Sequence, residues 1–168
     1  MKKIIVLLAS VFMLQACDDG DITLESFNFD TVAVQNCPTN DLVYKINRNE
    51  LLLISIPATS FINEATPIGS PRIITINSTN RIVYRLYSDN VTAPTICDIL
   101  PPASPVVQKE WNATGGTIEI ISNAIYAADE TTITGYTHNI KFVNVNFANP
   151  ENSFSFTEYI FGNYVTTL

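Results

Sequence analysis

The sequence predicts an all-β fold built from antiparallel strands, and three observations predict it. Short apolar or alternating runs recur along the chain, each bounded by Asn, Asp, Pro, Ser or Gly. No stretch keeps a 3.6-residue apolar period over three turns. Ile, Thr and Asn are abundant while Leu and Lys are scarce outside the N-terminus, a mix that favours strands and turns. About nine or ten such runs with no helices between them point to a two-sheet β-sandwich, with a β-barrel as the alternative. The 168 residues are 46% apolar, enough for one domain with a real core, expected over 26–168.

The first segment stands apart from that domain. Lys2 and Lys3 precede an apolar run over 4–14 that is about half the length needed to cross a ~30 Å hydrocarbon layer. Two cations, a short apolar stretch and small residues at its end make 1–16 a candidate secretory signal peptide. Behind it come Cys17 and an acidic stretch, Asp18-Asp19-Gly20-Asp21, so 17–25 reads as a solvated tether. A calcium loop counted from Asp19 fails. Its sixth and twelfth places, which need Gly and Glu, hold Leu24 and Asp30.

The later elements follow in order. Residues 25–34 read as a strand pair or one bulged strand, with Phe27 and Phe29 on one face and Val32 and Val34 on the opposite parity. "LVYKI" and "LLLISI" flank Asn47-Arg48-Asn49-Glu50 as a hairpin, and "RIITI" and "RIVYRLY" flank Asn77-Ser78-Thr79-Asn80 as a second. Residues 88–105 are rich in proline and excluded from any central strand, so they form a long crossing loop or an edge segment. "VVQKEW" and "TIEIIS" surround "NATGG", whose glycines suit a hairpin turn; no Lys follows, as a phosphate loop would require. "AIYAADET" is a strand end or one helical turn. Two long strands close the chain, over 132–147 and 153–165. In the first, Ile140 and Phe142 differ in parity from Val143, Val145 and Phe147, and a bulge would return both sets to the core.

Chemistry-bearing residues are few. Besides Cys17 there are only Cys37 and Cys97, an even pair that suits a disulfide in an exported protein and would close a loop of about 60 residues. Two separate buried thiols, or a nucleophilic Cys served by the lone His138, are the competing readings. Neither cysteine has a basic neighbour to activate it. Tyr87, Tyr126 and Tyr136 lie in or beside turns, and with Trp111 they could stack on a sugar or a peptide; the favoured reading is that Trp111 and most of the tyrosines finish the core rim. Glu110, Glu119, Asp129, Glu130 and Glu158 include no pair whose separation the sequence fixes, so a glycosidase pair stays open beside solvated strand faces. No nucleophile elbow, Walker loop or zinc pattern is present, and no cofactor or metal is expected. A formal charge of −7 argues against nucleic acid and against electrostatic docking on anionic lipid.

Leu14-Gln15-Ala16-Cys17 resembles the lipobox of bacterial lipoproteins. The resemblance implies cleavage after Ala16 and a diacylglycerol thioether on Cys17; Gln15 departs from the small residue usual there. The acidic residues behind Cys17 resemble the export signal of surface lipoproteins in Bacteroidota; in enterobacteria Asp at that place resembles an inner-membrane retention signal. With "ICDILPPASP", "EWNATGGTIEI" and "YIFGNYVTT", the chain resembles small lipoproteins of flavobacteria and their relatives. That implies a membrane anchor and an outer-membrane, cell-surface location, with the periplasmic face of the inner membrane as the alternative. Asp30-Thr31-Val32 is similar to the O-glycosylation motif of exported Bacteroidota proteins, which marks Thr31. The expected function is a non-catalytic module that binds a glycan or an envelope protein, or serves as a complex subunit. A small envelope enzyme such as a carbohydrate-active hydrolase is the alternative.

Overall fold

The computed structural model describes residues 27–168. The expected signal peptide, the lipidation site at Cys17 and the acidic tether lie outside the described residues. The strands are β1 (Gln35–Asn36), β2 (Leu42–Asn47), β3 (Glu50–Ser55), β4 (Arg72–Thr75), β5 (Arg81–Tyr87), β6 (Val107–Tyr126), β7 (Ile133–Ala148) and β8 (Ser153–Thr167). A 3-10 turn at Ala58–Ser60 and one short helix, α1 (Ala93–Cys97), complete the elements among the described residues.

Every strand pairing is antiparallel, and all eight strands belong to one sheet of order β1-β2-β3-β5-β6-β7-β8, with β4 on β6. The all-β antiparallel class is therefore what the chain adopts. Its strands form a single curled sheet, a half-barrel, which is nearer to the barrel alternative than to two separate layers. The curl is evident in the core. Val43 and Leu52 from one end of the strand order share a cluster with Phe161 from the other. Lys45 of β2 lies 5.6 Å from the centre of the Phe161 ring on β8.

The gap between β8 and β2 is filled by the entering chain rather than by strand pairing. Phe29 is fully buried, and Phe27 meets Tyr84, Phe147, Phe154, Phe156 and Tyr159. The expected strand over 25–34 is absent from the described part of that stretch. A turn closed by Val32 N–H donating to the Phe29 carbonyl breaks it, and only Gln35 and Asn36 join the sheet. Burying two Phe rings, each contributing ~1.5–3 kcal/mol, outweighs extended pairing here.

The Asn47-Arg48-Asn49-Glu50 hairpin forms as expected, with Arg48 at φ 58°. The second expected hairpin does not. β4 and β5 both run antiparallel to β6, along successive stretches of its same edge, so Asn77-Ser78-Thr79-Asn80 is a side excursion between collinear strands. The Asn77 carboxamide caps it, accepting from the backbone N–H of Thr79 and Asn80.

"NATGG" also differs from expectation: β6 runs straight through it. Register shifts between Ala113 and Thr117, facing Asn144 at φ 52°, form a bulged region shared by β6 and β7. There the inward set changes parity in both strands, from Trp111 and Ala113 to Ile118 and Ile120, and from Phe147 and Val145 to Phe142 and Ile140. The bulge expected in β7 is thus present, and its partner in β6 is the glycine pair.

β3 is buried on both faces. Leu52 and Ile54 face the main core; Leu51 and Leu53 face a second cluster with Tyr44, Val83, Tyr87 and Val91. Residues 88–106 and α1 cover that second face. The Cys37–Cys97 disulfide, Cα–Cα 5.3 Å, pins this cover to the end of β1. The long proline-rich loop is therefore a lid on apolar strands. That explains its length without a ligand.

Candidate functional site

The aromatic residues singled out in the sequence do not form a binding surface. Trp111 is 5% exposed; it packs on Tyr84 and Phe154, and its indole N–H donates to Asn152 Oδ1 at 2.6 Å. Tyr87 and Tyr136 are buried too, at opposite ends of β6, since Tyr87 pairs with Val107 and Tyr136 with Ala124. Only Tyr126, 54% exposed, is free to stack on a ligand. The candidate aromatic site of Trp111, Tyr87, Tyr126 and Tyr136 is corrected accordingly, and the core-rim reading favoured from the sequence holds for three of the rings, which are used up by core packing.

Of the candidate carboxylates only Glu119 and Glu158 come together, with Lys141 between them. Glu110 accepts from Arg85 Nε at 2.7 Å and from Asn112. Burial pushes its pKa up, but the hydrogen bonds from Asn112 and Arg85 together with the charges of Arg85 and Arg81 outweigh burial, and the net shift is downward. Glu119 and Glu158 share Lys141 on the outer face of β6, β7 and β8, each at 3.2 Å, and Lys141 is held above its usual pKa by them. Asp129 caps the β6–β7 turn. The Thr132 hydroxyl and the backbone N–H groups of Thr132 and Thr131 donate to it and lower its pKa to about 2. Glu130 is exposed in that same turn at φ 57°. Glu110 and Asp129 are thus held singly, and Glu119 and Glu158 are joined by Lys141 on a strand face rather than across a cleft.

Among the described residues, the most chemically organised cluster is built around His138. β7 turns this side chain inward, where it is 0% exposed, beneath Phe61 and Tyr164. Ser122 of β6, also 0% exposed, places Oγ 2.7 Å from His138 Nδ1. Arg72 of β4 donates through Nη1 to that same Oγ at 2.7 Å and through Nη2 to the Glu64 carbonyl. On the other side, His138 Nε2 lies 3.0 Å from Thr166 Oγ1, which donates to Asn63 Oδ1.

These contacts fix the proton positions. Thr166 spends its hydroxyl proton on Asn63, so its oxygen accepts and His138 Nε2 carries the proton. His138 Nδ1 is then an acceptor, and Ser122 donates to it while accepting from Arg72. The result is one directed chain, Arg72 to Ser122 to His138 to Thr166 to Asn63. Burial pushes the His138 pKa below its usual value, and the Arg72 charge pushes it the same way.

This chain reaches residues 56–71, the connection from β3 to β4, at both ends, through Asn63 and through the Glu64 carbonyl, and the Ser122 backbone ties the same connection to the sheet. Ser122 N–H donates to Thr66 Oγ1, and the Ser122 carbonyl accepts from the Thr66 backbone and hydroxyl. All three polar groups of Ser122 are thus engaged by that connection or by Arg72 directly after it. The sequence marks His138 only as a possible base for a nucleophilic Cys, a pairing that the Cys37–Cys97 disulfide removes, and does not mark Ser122, Arg72, Thr166 or Asn63. Their convergence depends on β4 pairing with β6, which the expected Asn77–Asn80 hairpin concealed.

Lys45 is a second buried polar group, donating to the Phe29 carbonyl at 2.6 Å. Its pKa is lowered by burial, against a smaller opposing pull from Asp30. Thr31, beside Asp30, is exposed in the turn that follows Phe29.

No family model, curated protein or solved structure matches this chain. Among the described residues there is no helix long and apolar enough to cross a membrane and no group of three metal-ligating side chains.

Proposed function

We propose that this protein is a lipid-anchored protein of the bacterial envelope, serving as a non-catalytic binding module or complex subunit. The supporting observation is the Cys37–Cys97 disulfide. It uses two of the three cysteines and leaves Cys17, behind Leu14-Gln15-Ala16, as the one available for an acyl thioether. Disulfides also persist in oxidising compartments outside the cytosol. The acidic residues after Cys17 favour the outer membrane and the cell surface, with the periplasmic face of the inner membrane as the alternative.

The way the chain enters the fold suits such an anchor. The Asn28 carbonyl accepts from Asn47 at 2.8 Å, so the N-terminal side leaves the sheet beside the β2–β3 turn. The stretch from Cys17 to Phe27 spans at most about 35 Å. The end bearing that turn would face the lipid, and residues 56–71 would lie away from it. Exposed Ile73, Ile121, Ile160 and Val165 on the outer strand faces offer apolar contact to a glycan or protein partner.

The test is the mass of the mature protein together with its fractionation. A chain that starts at Cys17 and carries acyl chains, and a Cys17→Ser variant that stays unprocessed, are expected. A native protein retaining Met1, or lacking acyl mass, would overturn the anchor. Protease shaving of intact cells separates surface from periplasmic placement. Peptide mapping of the same sample reports a glycan on Thr31.

A second reading, a small envelope hydrolase, is favoured by one observation: Ser122 and His138 stand at the 2.7 Å spacing of a nucleophile and its base, with Thr166 orienting the ring. Against it, neither Ser122 nor His138 is exposed, and Ser122 Oγ already accepts from Arg72. Labelling of Ser122 by a fluorophosphonate would decide for the enzyme.

A further inference from the structure

The buried chain through His138 does more than fill the core, because both of its ends engage residues 56–71, at Asn63 and at the Glu64 carbonyl. Residues 56–71 are attached through Asn63 to Thr166, through Thr66 to the backbone N–H and carbonyl of Ser122, and through the Glu64 carbonyl to Arg72, which itself bonds Ser122 Oγ. Their apolar grip is Phe61, which lies on His138 and Tyr164, together with Ile56. Beyond Phe61 the segment turns outward, with Ile68 fully exposed.

We infer that residues 56–71 form an acid-sensitive strap: with His138 neutral it is tied down through Ser122 and Thr166, and when His138 takes up a proton it opens. The chemistry follows from the proton positions. A second proton on the ring must go to Nδ1, which now accepts from Ser122. Ser122 would then have to turn its own hydroxyl proton away, although its oxygen already accepts from Arg72. The imidazolium would also stand near the Arg72 guanidinium. The titratable and charged groups facing His138 are Arg72 from β4 and the Tyr164 phenol from β8; β6 contributes the neutral Ser122, and the strap itself presents Phe61 and the neutral Asn63. No carboxylate is placed to neutralise the new charge among these neighbours. Lifting the strap resolves the conflict by letting water reach the ring, and it uncovers Phe61 and Tyr164.

Hydrogen exchange on the full-length protein tests this, read by mass spectrometry between about pH 7.5 and about pH 5 and corrected for the intrinsic rate. Protection over 56–71 should fall by up to about tenfold per pH unit below ~6.5, which is the effect of one unit of displaced titration. Peptides from β3 should keep their protection, and Trp111 emission should stay native. In His138→Gln the pH dependence of the strap should vanish. Asn63→Ala, at the outer end of the chain, should loosen the strap already at pH 7.5; this keeps the idea testable if His138→Gln does not fold. Equal strap protection at both pH values would overturn the inference. So would an undiminished pH response in His138→Gln, a tight strap in Asn63→Ala, or loss of β3 protection in step with the strap.

Discussion

Gly116 and Asn144 lie against each other across β6 and β7, at φ 101° and 52°, and a Cβ on Gly116 would come within 2.6 Å of the Asn144 carbonyl oxygen. This contact is the centre of the bulged region where both strands change which parity faces inward. Gly115, its neighbour, has open space around its Cβ direction and no positive φ. Gly116→Ala should therefore cost about 2 kcal/mol or more through backbone displacement and a strained φ. Gly115→Ala should stay within about 0.5 kcal/mol, as a surface change does. Denaturant midpoints of the two variants check this, and equal midpoints would mean that the bulge is not held by Gly116.

That pair also shows what the sequence could and could not reveal. The parity change in β7 was legible, because Ile140 and Phe142 and then Val145 and Phe147 are apolar on alternate registers, and all four are buried. The partner change in β6 was not, because consecutive glycines signal a turn more often than a bulge. Reading "NATGG" as a turn split β6 in two and hid the pairing of β4 beyond it. The His138 chain was hidden with it, since Arg72 and Ser122 meet only through that pairing, at Arg72 opposite Ile120. The aromatic residues failed for another reason. Sequence marks Trp111 and Tyr87 as amphipathic but does not say which end is wet, and here Asn152 satisfies the indole inside the fold.

The disulfide holds a cover over strands that are apolar on both faces. Reducing it, or replacing Cys37 and Cys97 by Ser, should lower stability by about 4 kcal/mol for a closed loop of this length. Loss of the pin should also expose Leu51, Leu53 and Val83 beneath α1. The expected signature is a lower denaturant midpoint with reductant present, together with new binding of a hydrophobic dye under native conditions. An unchanged midpoint would show that the cover is held by packing alone.

Asp129 provides a local test of the β6–β7 turn. Its carboxylate pKa falls from 3.8 to about 2 because three donors from Thr131 and Thr132 converge on it. The folded pKa is the lower one, so the turn's contribution to stability is intact above pH 3.8 and is lost as pH falls towards 2. A carbon-detected NMR titration should place the Asp129 midpoint near the lower value. Thr132→Val removes the hydroxyl donor and should move the midpoint back towards 3.8. A wild-type midpoint already at the ordinary value would mean that the cap does not form in solution.

Phe29 closes the open side of the half-barrel, and its carbonyl is the acceptor for Lys45, so side chain and backbone fix the same point. Phe29→Ala should cost about 3–5 kcal/mol, the range for emptying a buried aromatic site. The damage should not stop at the cavity. Once the segment shifts, the Lys45 ammonium loses its carbonyl while still buried against Phe161, which adds the cost of an unpaired buried charge. Lys45→Met keeps the volume and removes that charge, so it should recover part of the loss in the Phe29→Ala background while costing stability in the wild type. A double-mutant cycle from denaturant unfolding reads the coupling directly. Simple additivity of the two changes would show that Lys45 and the entering chain are held independently, and that the half-barrel's closure does not depend on their contact.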